Sequence, residues 1–133
     1  MTQDSTKSVS TIVVDLDGTL THEKGAEAYQ DVDPRLDVIE RLKSYANSGF
    51  RIAIFTSRNM RTHGNSIGVI NAKTIPTIID WLSKHDVPYD ELHVGKPWCG
   101  PLGFYVDDKA IRPSEFLQFD SEEIRRILRL GEK

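Results

Sequence analysis

Short β-branched apolar runs that each break off on an acid, a hydroxyl or a lysine limit this chain more than any other feature. Thr11-Ile12-Val13-Val14 passes straight into Asp15-Leu16-Asp17-Gly18-Thr19. The run is apolar on both faces, which predicts a fully buried strand of the kind a parallel sheet requires. Arg51-Ile52-Ala53-Ile54-Phe55 repeats the pattern and stops at Thr56. Residues 91–94 predict a short strand ahead of Gly95-Lys96-Pro97, and Phe104-Tyr105-Val106 predicts another ahead of Asp107-Asp108. Helical patterns lie between. Asp33-Pro34 reads as a helix start, with Asp33 as cap and Pro34 in the first turn, and Leu36, Ile39, Leu42 and Tyr45 recur at helical spacing until Gly49. Ile75, Ile78, Ile79 and Leu82 predict one face of a second helix that ends before Pro88. Asp120-Ser121-Glu122-Glu123 predicts a capped helix start, with Ile124, Ile127 and Leu128 facing inward.

Strands alternating with helices predict an α/β fold: a Rossmann-like three-layer domain with a mainly parallel central sheet. In such sheets ligands bind beyond the carboxyl ends of the strands. Polar groups follow the predicted strand ends repeatedly, as Asp15 and Asp17, Thr56, Lys96, and Asp107 with Asp108. That convergence is the sequence argument for a site.

At 133 residues the chain suits one domain, spanning 1–133, with residues 1–10 expected to form a flexible tail. Its hydrophobic and charged fractions, 38% and 28%, are those of a globular protein. A net charge of -3 gives no global attraction to nucleic acid or to an anionic membrane, so neither is expected as a partner. The single cysteine, Cys99, excludes an internal disulfide and a cysteine-based zinc cluster, and suits a reducing cytoplasm. No apolar run approaches the roughly 20 residues a membrane helix needs. A cytoplasmic protein is the expectation.

Asp15 and Asp17 would repel one another unless a cation lay between them. Carboxylate oxygens that leave positions for water suit magnesium, and a magnesium ion could neutralise a phosphate oxygen. Lys96 would add positive charge, and Thr56 a hydroxyl. An aspartate can act as covalent nucleophile in phosphoryl transfer, with a second acid moving protons. Each residue also has a plainer reading: Asp-x-Asp as a turn, Asp107-Asp108 as a turn cap, Lys96 as a surface lysine, Thr56 as a loop cap. Trp81 and Cys99 read as packing residues, Trp98 as packing or a substrate-entrance residue, and the scattered histidines lack metal-ligand spacing.

In their order, Asp15-Leu16-Asp17-Gly18-Thr19-Leu20, Thr56 in Phe55-Thr56-Ser57-Arg58, Lys96 in Gly95-Lys96-Pro97, and Asp107-Asp108 resemble the four motifs of the haloacid dehalogenase superfamily. The resemblance implies roles. Asp15 would be the nucleophile and a magnesium ligand. Asp17 would be the general acid/base, with its backbone carbonyl on the metal. Thr56, Ser57, Arg58 and Lys96 would bind the phosphate or substrate. Asp107 would ligate magnesium directly, and Asp108 directly or through water. Neither residues 20–33 nor residues 57–94 leave room for a cap domain, so a capless member is implied, and a neighbouring subunit in a homo-oligomer or the 57–68 loop is expected to cover the site. The runs Lys96–Gly100 and Tyr105–Pro113 resemble capsule or polysaccharide biosynthesis phosphatases. The reaction implied is magnesium-dependent hydrolysis of a small phosphorylated substrate, such as a sugar phosphate. Two other readings stay open: a phosphatase acting on a phosphoprotein or a nucleic-acid 3′-phosphate, with Arg58, Arg61 and Lys73 along the polymer, and a catalytically idle binding domain.

Overall fold

The structure, a computed structural model, describes residues 10–132. The tail expected over residues 1–10 thus lies, except for Ser10, outside the described residues. The chain divides into two compact units, one reaching Trp98 and the other beginning at Cys99.

The N-terminal unit is α/β. Strands β1 (Thr11–Val14), β2 (Arg51–Phe55) and β3 (Glu91–His93) form a parallel sheet in the order β1-β2-β3. Val14 pairs with Ile54, and Phe55 with His93, so all three strands end at one rim. β2 is the central strand, and Ile52, Ala53 and Ile54 are buried. The complete burial expected for β1 is corrected: among the described residues it pairs along one side only, and Val13 is 64% exposed.

Helix α1 (Leu36–Asn47) buries Val38, Ile39 and Leu42, and the chain leaves it through Gly49 at φ +103°, a left-handed conformation that favours glycine. The helix does not begin at Asp33-Pro34. Those residues are taken by a short antiparallel contact: Thr21 bridges Pro34, His22 N–H donates to Asp33 C=O at 2.9 Å, and Arg35 N–H donates to Leu20 C=O at 2.7 Å. Residues 22–33 therefore form a loop with a closed neck, containing a single 3-10 turn at Tyr29–Asp31.

After β2 a run of turns gives way to helix α2 (Ile67–Val69), a π turn (Ile70–Thr74) and α3 (Ile75–Lys84), so the polar stretch expected over 57–68 becomes helical at Ile67. Ser66 caps the start, its hydroxyl accepting from Val69 N–H at 3.3 Å. The buried face is Ile70, Ile78, Trp81 and Leu82, while Ile79 is exposed.

The C-terminal unit holds α4 (Pro113–Gln118) and α5 (Ser121–Ile127). The predicted capping box is present: Asp120 and Glu123 exchange side-chain-to-backbone hydrogen bonds of 2.9 and 3.0 Å. Ile124 is buried, but Ile127 is exposed. The strand predicted at Phe104-Tyr105-Val106 does not form. The segment pairs with no strand among the described residues, and aromatic and β-branched composition does not make a strand without a ladder partner. Phe104 is 79% and Val106 88% exposed.

Candidate active site

Parallel strands deliver their following loops to one rim, and in the N-terminal unit three loops meet there. β1 delivers Asp15 and Asp17, β2 delivers Thr56, Ser57 and Arg58, and β3 delivers Lys96 through Gly95. Backbone hydrogen bonds fix the meeting. Thr56 N–H donates to His93 C=O at 2.9 Å, and Lys96 N–H donates to Thr56 C=O at 3.2 Å, tying the second and third loops together. In the first loop the Leu16 carbonyl accepts from Thr19, Leu20 and Thr21 N–H, which curls the chain immediately after Asp15. Gly18 occupies φ +80° in that curl, and its N–H donates to Thr21 Oγ1 at 3.1 Å. Gly95 occupies φ +85°, and a Cβ there would sit 2.8 Å from Ile67 Cδ1.

Asp15 is partly buried. Lys96 Nζ stands 3.8 Å from its Oδ1, and Thr19 Oγ1 donates to its Oδ2 at 3.3 Å. Burial raises the Asp15 carboxyl above the ordinary aspartate value. The Lys96 charge opposes that rise, as does the Leu16 N–H; neighbouring Asp17 adds to it. The carboxylate is thus poorly hydrated yet faced by a cation, a setting that suits a nucleophile.

Asp17 has a different partner. Arg58 donates to it twice, Nε to Oδ2 at 3.1 Å and Nη2 to Oδ1 at 2.7 Å. This is the bidentate geometry that gives Arg–carboxylate pairs their strength. The guanidinium is buried and its carbon lies 4.2 Å from the centroid of the Tyr29 ring. Burial, then the charge of Asp17, raise the Tyr29 hydroxyl above its usual value, and Arg58 works against them. The same ring also carries Lys24, whose Nζ is 5.2 Å from the centroid.

Thr56 is buried, and its Oγ1 accepts from Arg58 N–H at 3.0 Å; the hydroxyl keeps its own proton to donate. Ser57 is half-buried and its carbonyl accepts from Met60 N–H. The sequence-selected Asp15, Asp17, Thr56, Ser57, Arg58 and Lys96 therefore all belong to the rim loops. Arg58, expected to bind substrate, has two donors committed to Asp17. Asp107 and Asp108 belong to the C-terminal unit, where both are exposed and Asp107 Oδ1 accepts from Lys109 N–H at 2.9 Å in a turn. No strand leads into them, contrary to expectation.

Two contacts of the site are not readable from the sequence, although Thr19 itself lies in the first motif. Thr19 reaches Asp15 only because the loop curls, and Tyr29 reaches Arg58 only because the neck at Thr21 and Pro34 folds the 22–33 loop back. That loop, not the 57–68 stretch, supplies the ring over Arg58.

Among the described residues no three or more His, Cys, Asp or Glu side chains come together in a way that could hold a metal ion. The chemistry of the rim donors is nevertheless compatible with magnesium, which takes one or two carboxylates and keeps several waters. No described helix is long and apolar enough to cross a membrane.

No family model matches the chain, and no curated protein matches it. Among solved structures it is similar to the crystal structure of a target protein from Vibrio cholerae. The two share 52% identity and superpose with a TM-score of 0.88, over 93% of this chain and 100% of that one.

Proposed function

We propose, for a chain that belongs to the same family as that Vibrio cholerae protein, the activity of a phosphomonoester hydrolase with Asp15 as covalent nucleophile. The observation that carries the reading is the pairing of a partly buried Asp15 with Lys96, 3.8 Å away, at the common carboxyl end of three parallel strands. A buried carboxylate beside a lysine is a poor stabilising pair, because desolvation offsets much of the attraction. At the rim of a parallel sheet it suits an incoming phosphate.

The chemistry follows from the residues present. An Asp15 oxygen attacks phosphorus as the ester P–O bond breaks. The departing alkoxide takes a proton from Asp17, and an aspartyl phosphate remains. The Asp17 carboxylate then takes a proton from water, the water oxygen attacks phosphorus, and the bond to Asp15 breaks. Inorganic phosphate leaves with both aspartates restored. Lys96 draws phosphate oxygens in, and the Thr56 hydroxyl donates to one of them.

Magnesium, when bound, would supply charge neutralisation on the phosphate. Asp15 and the Asp17 backbone carbonyl are its proposed protein ligands in the N-terminal unit. For Asp107 and Asp108 as further ligands the support is the sequence pattern alone. Assignment of the substrate to small sugar phosphates, and of the fold to the capless haloacid dehalogenase type, likewise rests on the resemblance of the motifs.

The test is phosphate release from a panel of phosphorylated metabolites, with magnesium and with a chelator. Wild type is expected to release phosphate only with magnesium, and Asp15→Asn to lose at least about 10³-fold of that rate. Release that survives in Asp15→Asn would rule out the nucleophile.

A further inference from the structure

We propose that Arg58 is a positioning residue for Asp17, fixing the carboxylate that moves the proton, and not a ligand of the phosphate. The proposal rests on the phosphatase reading above and refines it. Its basis is how the guanidinium is spent. Arg58 is 3% exposed, and Nε and Nη2 both donate to Asp17 in parallel. Its guanidinium carbon lies over the Tyr29 ring, and the Arg58 backbone N–H is held by Thr56 Oγ1. The remaining nitrogen, Nη1, is buried, so a phosphate could take the Nε–Nη2 edge of this guanidinium only by displacing Asp17.

Stability alone is a weak reason for this arrangement. Nη1 is buried and has no hydrogen-bond partner, the sole such side-chain atom among the described residues. Buried, partly satisfied ionic groups are costly, and proteins keep such costs mainly where a site requires them. Asp17 gains a fixed orientation from two parallel bonds, while its side chain remains 37% exposed and open to a substrate. Preorganising a proton-transfer group in this way is what a supporting residue contributes to catalysis.

The position of the clamp predicts where its loss is felt. Protonation matters most when the leaving group is strongly basic, as in benzyl phosphate, and little when it is a stable phenolate, as in p-nitrophenyl phosphate. The experiment measures kcat and KM on both esters, and inhibition by inorganic phosphate, for wild type, Arg58→Lys, Arg58→Met and Asp15→Asn. Arg58→Met is expected to lower kcat on benzyl phosphate by about 10²-fold or more, and on p-nitrophenyl phosphate by less than about 10-fold. Inhibition by inorganic phosphate is expected to stay within about 3-fold of wild type, because Lys96 and Thr56 hold the phosphate. Arg58→Lys keeps the charge but not the two parallel bonds and is expected to fall between. It also serves if the methionine variant does not fold.

Phosphate inhibition weakened 10-fold or more, or equal losses on both esters, would make Arg58 a phosphate ligand or a structural residue and overturn the proposal alone. Activity absent in wild type, or preserved in Asp15→Asn, would overturn the phosphatase reading and take this proposal with it.

Discussion

At Asp15, burial works against the charged carboxylate, while Lys96 and the Leu16 N–H favour it, and the net effect is a raised carboxyl. A raised value means that the folded state binds this proton more tightly than the unfolded chain does. Stability is therefore lost as pH rises past the unfolded value, and the penalty is in force at neutral pH. Asp15→Asn is expected to raise Tm at pH 7 by about 2–6 °C while abolishing activity, the trade expected of an active-site group; an unchanged or lower Tm would contradict this. Removing the Asp17 carboxylate is expected to act on stability in the other direction, through the ion pair it makes. Asp17→Ala leaves the buried Arg58 guanidinium without its two acceptors, and a cost of about 1–3 kcal/mol is expected in urea unfolding, the partial exposure of Asp17 holding it below that of a fully buried pair. The double variant Asp17→Ala/Arg58→Met should recover part of that loss, because no unpaired charge remains. Asp15 and Thr56 were legible in the sequence because each follows a strand that β-branched, apolar composition marks out, whereas Lys96 follows the short, largely polar β3 and was legible from its Gly95-Lys96-Pro97 setting. The Arg58–Asp17 clamp and the Tyr29 ring were not, because both depend on contacts between separate loops that no local pattern encodes.

Helix α3 shows how an element secures the loop that carries Tyr29. Trp81 is fully buried and its Nε1 donates to Val32 C=O at 2.8 Å, just past the 3-10 turn Tyr29–Asp31. Trp81→Phe removes this donor and leaves both a void and an unpaired buried carbonyl, at an expected cost of about 2–4 kcal/mol in chemical unfolding. A cost below about 0.5 kcal/mol would mean that the indole does not anchor the loop. Helical spacing identified Ile78 and Leu82 correctly, and Trp81 packs as its sequence reading expects, but Ile79, placed on the same face, is exposed, since neighbouring apolar positions cannot be ranked until the helix has a partner to pack on. The α1 start was misjudged for a related reason: Asp33 and Pro34 carry strong start signals, but pairing with Leu20–His22 claims them first. The end of α3 gives the element a pH dependence. His85 packs tilted against Trp81 with ring centroids 4.6 Å apart, and burial, with some help from Lys84, lowers its pKa from the ordinary 6.5 against the pull of Asp33. A histidine depressed in the fold contributes stability that is present above about pH 6.5 and lost as pH falls through the folded value. Wild-type Tm is expected to fall between about pH 7 and 5, and His85→Gln to flatten part of that slope. Identical slopes would remove His85 as the cause.

For the molecule as a whole, the decisive distinction is between backbone held in ladders and helices and backbone that is not. In the N-terminal unit three paired strands and the helices around them hold the backbone, and there the α/β reading of the sequence holds. The stretch from Cys99 to Arg112 contains no helix or strand, although its Phe-Tyr-Val core has the composition of one. Composition specifies how readily a segment accepts a ladder, and the ladder itself has to come from a partner strand. The difference should be visible to a protease. Cleavage needs an exposed segment that can leave its local structure cheaply, whereas paired strands and buried helices open only at a cost close to global unfolding. Under native conditions, limited chymotrypsin digestion is expected to cut first between Trp98 and Val106, with Phe104, 79% exposed, as the preferred site. Phe55 in β2 and the fully buried Trp81 in α3 should resist until the fold is lost. Mass spectrometry of the first fragments reads the answer. First cuts at Phe55 or Trp81 with the 98–106 stretch intact would show that this segment is protected in solution by packing that its exposure here does not reveal. First cuts at Phe104 would mark the start of the C-terminal unit as the least stable of the described residues, and would leave the Asp15 rim with its Lys96 partner on the N-terminal fragment.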